Sequence, residues 1–514
     1  MAIKIDTRLT AQKLVPKIER LFDVSAQKIL RIEKTWKPEN GAPVFTAKGQ
    51  YVTRGWTEWT QGFQFGSAIL QFDATGEEQF LELGRTHTVK HMAAHVSHMG
   101  VHDHGFNNIS TYGNLLRLMR EGKIPFNERE KDFYELALKV SGAVQAARWS
   151  RTFDGLGYIY SFNGPHSLFI DTLRSLRSLA VAHQLGHLLM GEQDEKICLL
   201  WRLLCHAQTT TTHSVYYGEE RDAYDVPGRV AHESIFNPNN GHYRCPNSQQ
   251  GYSPFSTWTR GLAWAVLGFA EQLEFFRSLS NMEIEDAAIF HGHRPRDPRM
   301  ARRSRRLRSR FLHAGAMAPD DIRYWMQRAA TVTANFYVAN SCGDGIPVWD
   351  TGAPNLHRLG DYLSTDSDPF NPWEPVDSSA AAIAAQGLWR LGQYLEGTQK
   401  TPYASRTKTK EEDGHELRTS HHASRYRQAA LTIANTLFSE PYLSSNPKHQ
   451  GLILHSVYHR PNGWDFIAPG QKVPNGESSM WGDYHARELA VMLWREARGE
   501  AYYLFFDPLR KNPK

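Results

Sequence analysis

Cysteine is scarce in this chain and shows no pairing pattern. Cys198, Cys205, Cys245 and Cys342 form no CxxC step and no zinc-finger spacing, which excludes a disulfide framework and leaves ordinary thiols of a reducing compartment. Long apolar runs are missing as well. The start, Met1-Ala2-Ile3-Lys4-Ile5-Asp6, has no signal-peptide core, and no run of 18 apolar residues occurs, so the sequence reads as a soluble, cytoplasmic protein without a membrane partner. Charge of one sign is also lacking. A formal net charge of +5 over 514 residues is too small for a whole-protein field toward nucleic acid. The absence of HExxH, of a Gly-rich phosphate loop and of a GxSxG elbow removes zinc-peptidase, nucleotide-binding and serine-hydrolase readings.

What the chain does contain is aromatic and helical. It has 14 Trp, 21 Tyr and 25 Phe in a composition that is 41% hydrophobic, enough for a large core and in keeping with a carbohydrate-handling surface. Apolar residues recur at three and four through Leu136 to Ala147, Ile170 to Leu189, Lys196 to Leu204 and Thr257 to Phe275, after a first amphipathic helix over 12–35. Strand-like alternation is scarce, so residues 1–514 are expected to form one all-α domain. Surface insertions are expected near 283–320 and 400–424. The first carries nine arginines between residues 294 and 310 without any nucleic-acid motif, and the second, polar over 402–424, reads as a mobile loop.

The chemistry concentrates in a few places. In Gln250-Gly251-Tyr252-Ser253-Pro254-Phe255-Ser256-Thr257-Trp258-Thr259-Arg260-Gly261-Leu262-Ala263-Trp264 a polar loop runs into a helix. Arg260 and Trp264, four apart, share one helix face. An Arg fork suits a carboxylate and an indole suits a sugar ring. Trp59 precedes Gly62 and Gly66 in a loop suited to a cavity mouth. Six histidines lie between His87 and His104, namely His87, His91, His95, His98, His102 and His104. The first five have helical spacing, which would align them on one face, but carboxylate or cysteine ligands at metal-site spacing are missing, so neither a metal nor any other cofactor is expected. Two acids stand out. Asp103 lies between His102 and His104, where a carboxylate at a helix end is well supplied with partners; its alternative is a helix cap. Asp171 opens a long apolar helix through Leu189, where apolar neighbours and an ionised Asp103 would push its pKa up and let it keep a proton to donate; its alternative is a helix-dipole acid. His232 enters an Asn/Pro/Gly turn shortly before Gln250. Val348-Trp349-Asp350, the helix start Asp377-Ser378-Ser379 and Trp481-Gly482-Asp483-Tyr484 read as structural.

In order, Trp59-Thr60-Gln61-Gly62-Phe63, His102-Asp103-His104-Gly105-Phe106, Ile170-Asp171, His232 with its Phe-Asn-Pro-Asn-Asn-Gly sequel, Gln250-Gly251, Ser256-Thr257-Trp258-Thr259-Arg260-Gly261, Asp377-Ser378-Ser379-Ala380-Ala381 and Gly451 to His455 resemble glycoside hydrolase family 88, the unsaturated glucuronyl hydrolases. The resemblance spans about residues 55 to 495. It implies an (α/α)6 barrel with a cavity at one end and a substrate bearing a 4,5-unsaturated uronic acid at its non-reducing end. It also implies Asp171 as the acid that protonates carbon 4, Asp103 as its partner, and Trp59, His102, His232, Gln250, Arg260 and Trp264 around the terminal sugar. No cofactor follows from it, and oligomeric state is left open. Competing readings are an unsaturated rhamnogalacturonyl hydrolase, a saturated-uronide glycosidase on the same barrel, and, motivated by the arginines, a non-catalytic anion- or nucleic-acid-binding protein.

Overall fold

The computed structural model describes residues 3–54, 58–290, 318–399 and 410–506. The nine arginines of 294–310 and the polar residues 402–409 lie outside the described residues. Residues 410–424, expected as part of a loop, instead begin the helix Lys410–Leu437.

Long helices alternate along the chain between two kinds of burial. Gln61–Thr75, Thr259–Arg277 and Met480–Arg498 are buried on nearly every side, as is Ser378–Gln399 over most of its length. Ala11–Thr35, Glu128–Ala147 and Pro319–Ala339 bury a single stripe. A helix apolar or small all round belongs inside, and one with a single apolar face belongs outside. The inner elements close into a ring. Gln61–Thr75 packs on His104–Asn108, which meets Thr172–Ser175, then Thr259–Arg277, Ser378–Gln399 and Met480–Arg498, which returns to Gln61–Thr75. The result is the (α/α)6 barrel expected from the sequence. Among the described residues no helix is long and apolar enough to cross a membrane.

Two segments depart from the helical periodicity. The run from Ile170 to Leu189 is not one helix but Thr172–Ser175 and Arg177–Gln184, ended at Gly186, whose φ of 75° is left-handed. Beyond it Leu188–Met190 pairs antiparallel with Lys196–Cys198, so the helix expected from Lys196 starts only at Leu199 and runs to His213. A three-stranded antiparallel sheet of Ser167–Phe169, Glu233–Phe236 and Tyr243–Asn247 lies on the side where the inner helices start.

Further down the inner helices the barrel is ionic. Arg174 reaches Glu271 and both oxygens of Glu488 (3.1 Å each), and Arg390 reaches Glu274 (2.7 Å), with Arg177 3.9 Å from Glu271 and from Glu488. All are buried. Charges so far from water persist only because each faces charge of opposite sign, and the network ties the Asp171 segment to the helices around it.

Candidate active site

Backbone pairing delivers the two acids to one place. Ile170 N donates to His232 O (3.0 Å), extending the pairing of Ser167–Phe169 with Glu233–Phe236 and setting Asp171 beside His232. On the other wall, Ser175 Oγ donates to His102 O (2.6 Å) and accepts from Gly105 N (2.9 Å), so the Asp103 turn is clipped onto the Asp171 segment. That contact requires glycine: a Cβ at Gly105 would lie 2.3 Å from Ser175 O. Asp103 and Asp171 occupy N-cap positions, of His104–Asn108 and Thr172–Ser175, yet neither side chain makes a capping bond. The capping alternative for Asp103 therefore fails, and both carboxylates line a cavity of about 240 Å³.

His102 is the hinge between them. Its Nε2 lies 3.1 Å from Asp171 Oδ1 and 3.9 Å from Asp103 Oδ1, while Nδ1 is buried without a partner among the described residues. The electrostatics reverse the expectation for Asp171. Burial works to raise its pKa, but the hydrogen bond and charge of His102, with the charge of Arg260, hold it below the ordinary carboxylate value. Asp103 is the raised acid: burial, reinforced by Asp171 and opposed by His102, pushes it to about 6. His102 is itself raised, since Asp103 and Asp171 overcome the effect of burial. The proton thus rests on the His102 and Asp103 side of the cluster, with Asp171 ionised.

Arg260 and Trp264 both line the cavity, as do Trp59, Phe106, Gln250 and Trp258. The open fork expected of Arg260 is absent. Nη1 donates to Val457 O and lies 3.8 Å from Asp377 Oδ2; Nη2 donates to Tyr458 O (2.7 Å) and Gln250 Oε1 (2.7 Å). Its guanidinium lies between the rings of Trp258 and Trp481, 4.6 Å from each. Because Arg has donors only, the oxygen of Gln250 must face it, and the two amide donors of Gln250 are left for an acceptor in the cavity. Trp264 is buried against Phe106 and the edge of His485, whereas Trp59 is half-buried and stacks on Trp481 (5.1 Å, 26°). Of the sequence-derived residues His232 alone does not line the cavity. It sits between Phe169 and Trp258, and its Nδ1 accepts from Gln249 N (3.0 Å) and Gln250 N (3.4 Å), which makes it a support for Gln250. Burial lowers its pKa to about 3, so it is a neutral imidazole.

His87 and His91 stack on one helix (ring centroids 5.4 Å apart), but the run does not continue along that face. Glu78–His91 ends first, and His95 lies in the short helix Ala93–Val96. His87 pairs with Glu33 (2.9 Å), His95 meets Asn107 and His104 meets Ser141. Among the described residues no group of His, Cys, Asp and Glu could hold a metal ion.

Sequence reasoning missed one wall. Tyr458, His459, Asn462 and Trp464 line the cavity from a turn held by Asp465, which accepts from Tyr458 N (2.5 Å) and His459 N (3.0 Å). The signal was available as Pro461-Asn462-Gly463 between two aromatics. Trp481, read as structural, lies directly behind the cavity as the stacking partner of both Trp59 and Arg260.

Fold and site together define an (α/α)6 barrel with two carboxyl groups and a histidine in an aromatic cavity. Within that class the relatives are unsaturated glucuronyl hydrolases. The chain is 24% identical over 468 residues, 89% of its length and 92% of the relative's, to the unsaturated glucuronyl hydrolase of Bacillus sp. (strain GL1). It is 20% identical to an unsaturated chondroitin disaccharide hydrolase of Streptococcus agalactiae, over 86% of this chain and 82% of that one. The crystal structure of the Bacillus sp. GL1 enzyme superposes with a TM-score of 0.61, at 20% identity, covering 96% of this chain and 99% of that one. No family model matches the chain. The fold and the resemblance read from the sequence both stand.

Proposed function

We propose that the protein is a glycoside hydrolase that removes a 4,5-unsaturated uronic acid from the non-reducing end of lyase-generated oligosaccharides by hydrating the double bond. The observation that carries this reading is the row Asp103, His102, Asp171 in a cavity that Arg260 also lines. A uronate ring enters with its carboxylate on the Gln250 amide donors, the Arg260 charge behind them, and its face on Trp59. The cavity is smaller than those that take drug-sized ligands, about 300–1,000 Å³, which suits one terminal sugar.

Substrate entry strips water from Asp171 and brings a second negative charge near it, both of which raise its pKa. Asp171 then takes the His102 proton along the 3.1 Å hydrogen bond and delivers it to carbon 4. Positive charge develops over carbon 5 and the ring oxygen. Asp171, ionised again, accepts a proton from the water that adds at carbon 5. The hemiketal opens and the next sugar leaves. The raised pKa of Asp103 favours a second reading in which Asp103 is the donor. The free thiols of Cys205, Cys245 and Cys342 support a reducing, cytoplasmic setting.

A panel of lyase-generated disaccharides tests the reading: turnover should erase the ultraviolet absorbance of the conjugated double bond, and a saturated aryl glucuronide should release nothing. Aryl release from the saturated compound, or no absorbance loss with any disaccharide, sinks it. Gln250→Glu separates binding from chemistry. It keeps an oxygen on Arg260 but replaces the donors with a charge, so KM should rise about 10- to 100-fold, the worth of a hydrogen bond to a charged group, with kcat changed little.

A further inference from the structure

The described surface next to the cavity carries aromatic rings that the hydration chemistry does not use. Tyr224, Tyr252 and Phe255 are 49%, 52% and 44% exposed, and Tyr224 lies on Phe255 with ring centroids 4.5 Å apart and planes 24° from parallel. Single exposed rings are ordinary, but rings clustered in solvent point to a ligand.

The loops under them are built to stay still. Asp225 accepts from four backbone amides, those of Tyr217 (3.1 Å), Gly218 (2.8 Å), Glu219 (3.0 Å) and Arg221 (2.8 Å), and Arg229 Nε donates to Tyr224 O (2.7 Å). Tyr252 N donates to Asp350 Oδ2 (2.8 Å) and Phe255 N to Ser253 Oγ (3.1 Å). Arg229 Nη1 reaches Pro254 O (3.3 Å), fastening one loop to the other. A platform held this way loses little further freedom when a ligand lands on it. It also shares a loop with the cavity wall: Gln249, Gln250 and Trp258, which line the wall, flank Tyr252 and Phe255 in the chain.

We propose that Tyr224, Tyr252 and Phe255 form a distal saccharide subsite for the sugars that follow the one in the cavity. The inference rests on the function proposed above. A cavity sized for one ring leaves the rest of an oligosaccharide at the rim, where the apolar faces of pyranose rings and exposed indole- or phenyl-type faces complement each other.

The test compares an unsaturated disaccharide with a tetrasaccharide sharing its terminal pair, in wild type, Tyr224→Ala and Phe255→Ala. KM for the tetrasaccharide should rise about three- to tenfold, the worth of one aromatic stacking contact, with kcat and both disaccharide constants unchanged, and Phe255→Trp should restore the wild-type value. Equal effects on both substrates, or none on the tetrasaccharide, overturn the subsite, as does sedimentation showing that Phe255→Ala dissociates a dimer. Wild-type turnover of the disaccharide reports on the cavity by itself, so failure of that reading is seen separately from failure of the subsite.

Discussion

Asp171→Asn should lower kcat by about 10³- to 10⁴-fold while leaving KM within a few-fold of wild type. General acid and base catalysis contributes about 10² to 10⁴ when one group serves it, and here the same carboxyl is asked to give a proton to carbon 4 and to take one from water. Asparagine keeps the shape and an oxygen for the hydrogen bond from His102 but can do neither job, so the loss should fall on kcat and kcat/KM alike, the mark of an interaction made only in the transition state. Single-turnover kinetics on an unsaturated disaccharide gives the chemical step directly. Turnover within tenfold of wild type would hand the donor role to Asp103, whose own Asn variant should then show the larger loss.

Why that role is open at all shows what a linear sequence can and cannot carry. Helical spacing is written in local periodicity, so an all-α domain was legible from the residues, while the closing of its helices into a barrel was legible only through the family resemblance. The ordered pieces around Asp103, Asp171, Gln250 and Arg260 were legible as motifs. Protonation was not: Asp171 sits among apolar neighbours in sequence, but His102, 69 residues upstream, reaches its carboxylate and reverses the sign of the shift. The same holds for Arg260. Its fork looks free beside Trp258 and Trp264, yet the carbonyls of Val457 and Tyr458, 197 and 198 residues downstream, occupy it. The histidine run failed for a local reason instead, because helical spacing says nothing about where a helix stops, and Glu78–His91 stops in the middle of the run. Likewise Gly186 ended a helix that apolar spacing alone would have continued to Leu189.

Asp103→Asn should impair the enzyme and stabilise the fold at once. The Asp103 carboxyl has an ordinary value of 3.8 and is pushed to about 6 in the folded protein, chiefly by burial. Between those values the folded state binds more protons than the unfolded state, so stability declines as pH rises from about 4 to 6 and the penalty is complete above 6. A shift of this size is worth on the order of 1–3 kcal/mol, part of it offset by the charge on His102. Asparagine cannot ionise, so the variant should resist urea better than wild type at pH 7 and unfold alongside it at about pH 3, below the ordinary value of 3.8, where the Asp103 carboxyl is neutral in both states. Activity moves the other way. With Asp103 no longer titrating next to His102, the alkaline limb of kcat/KM that starts near pH 6 should flatten, on top of a fall of about 10²-fold for loss of a proton-sharing partner. The opposing signs separate a catalytic carboxyl from a structural one, because a structural acid would weaken the fold when replaced. A variant less stable than wild type at pH 7 would show that the burial of Asp103 is compensated by contacts to its charged form, and a proton held on the His102 and Asp103 side of the cluster would have to be abandoned.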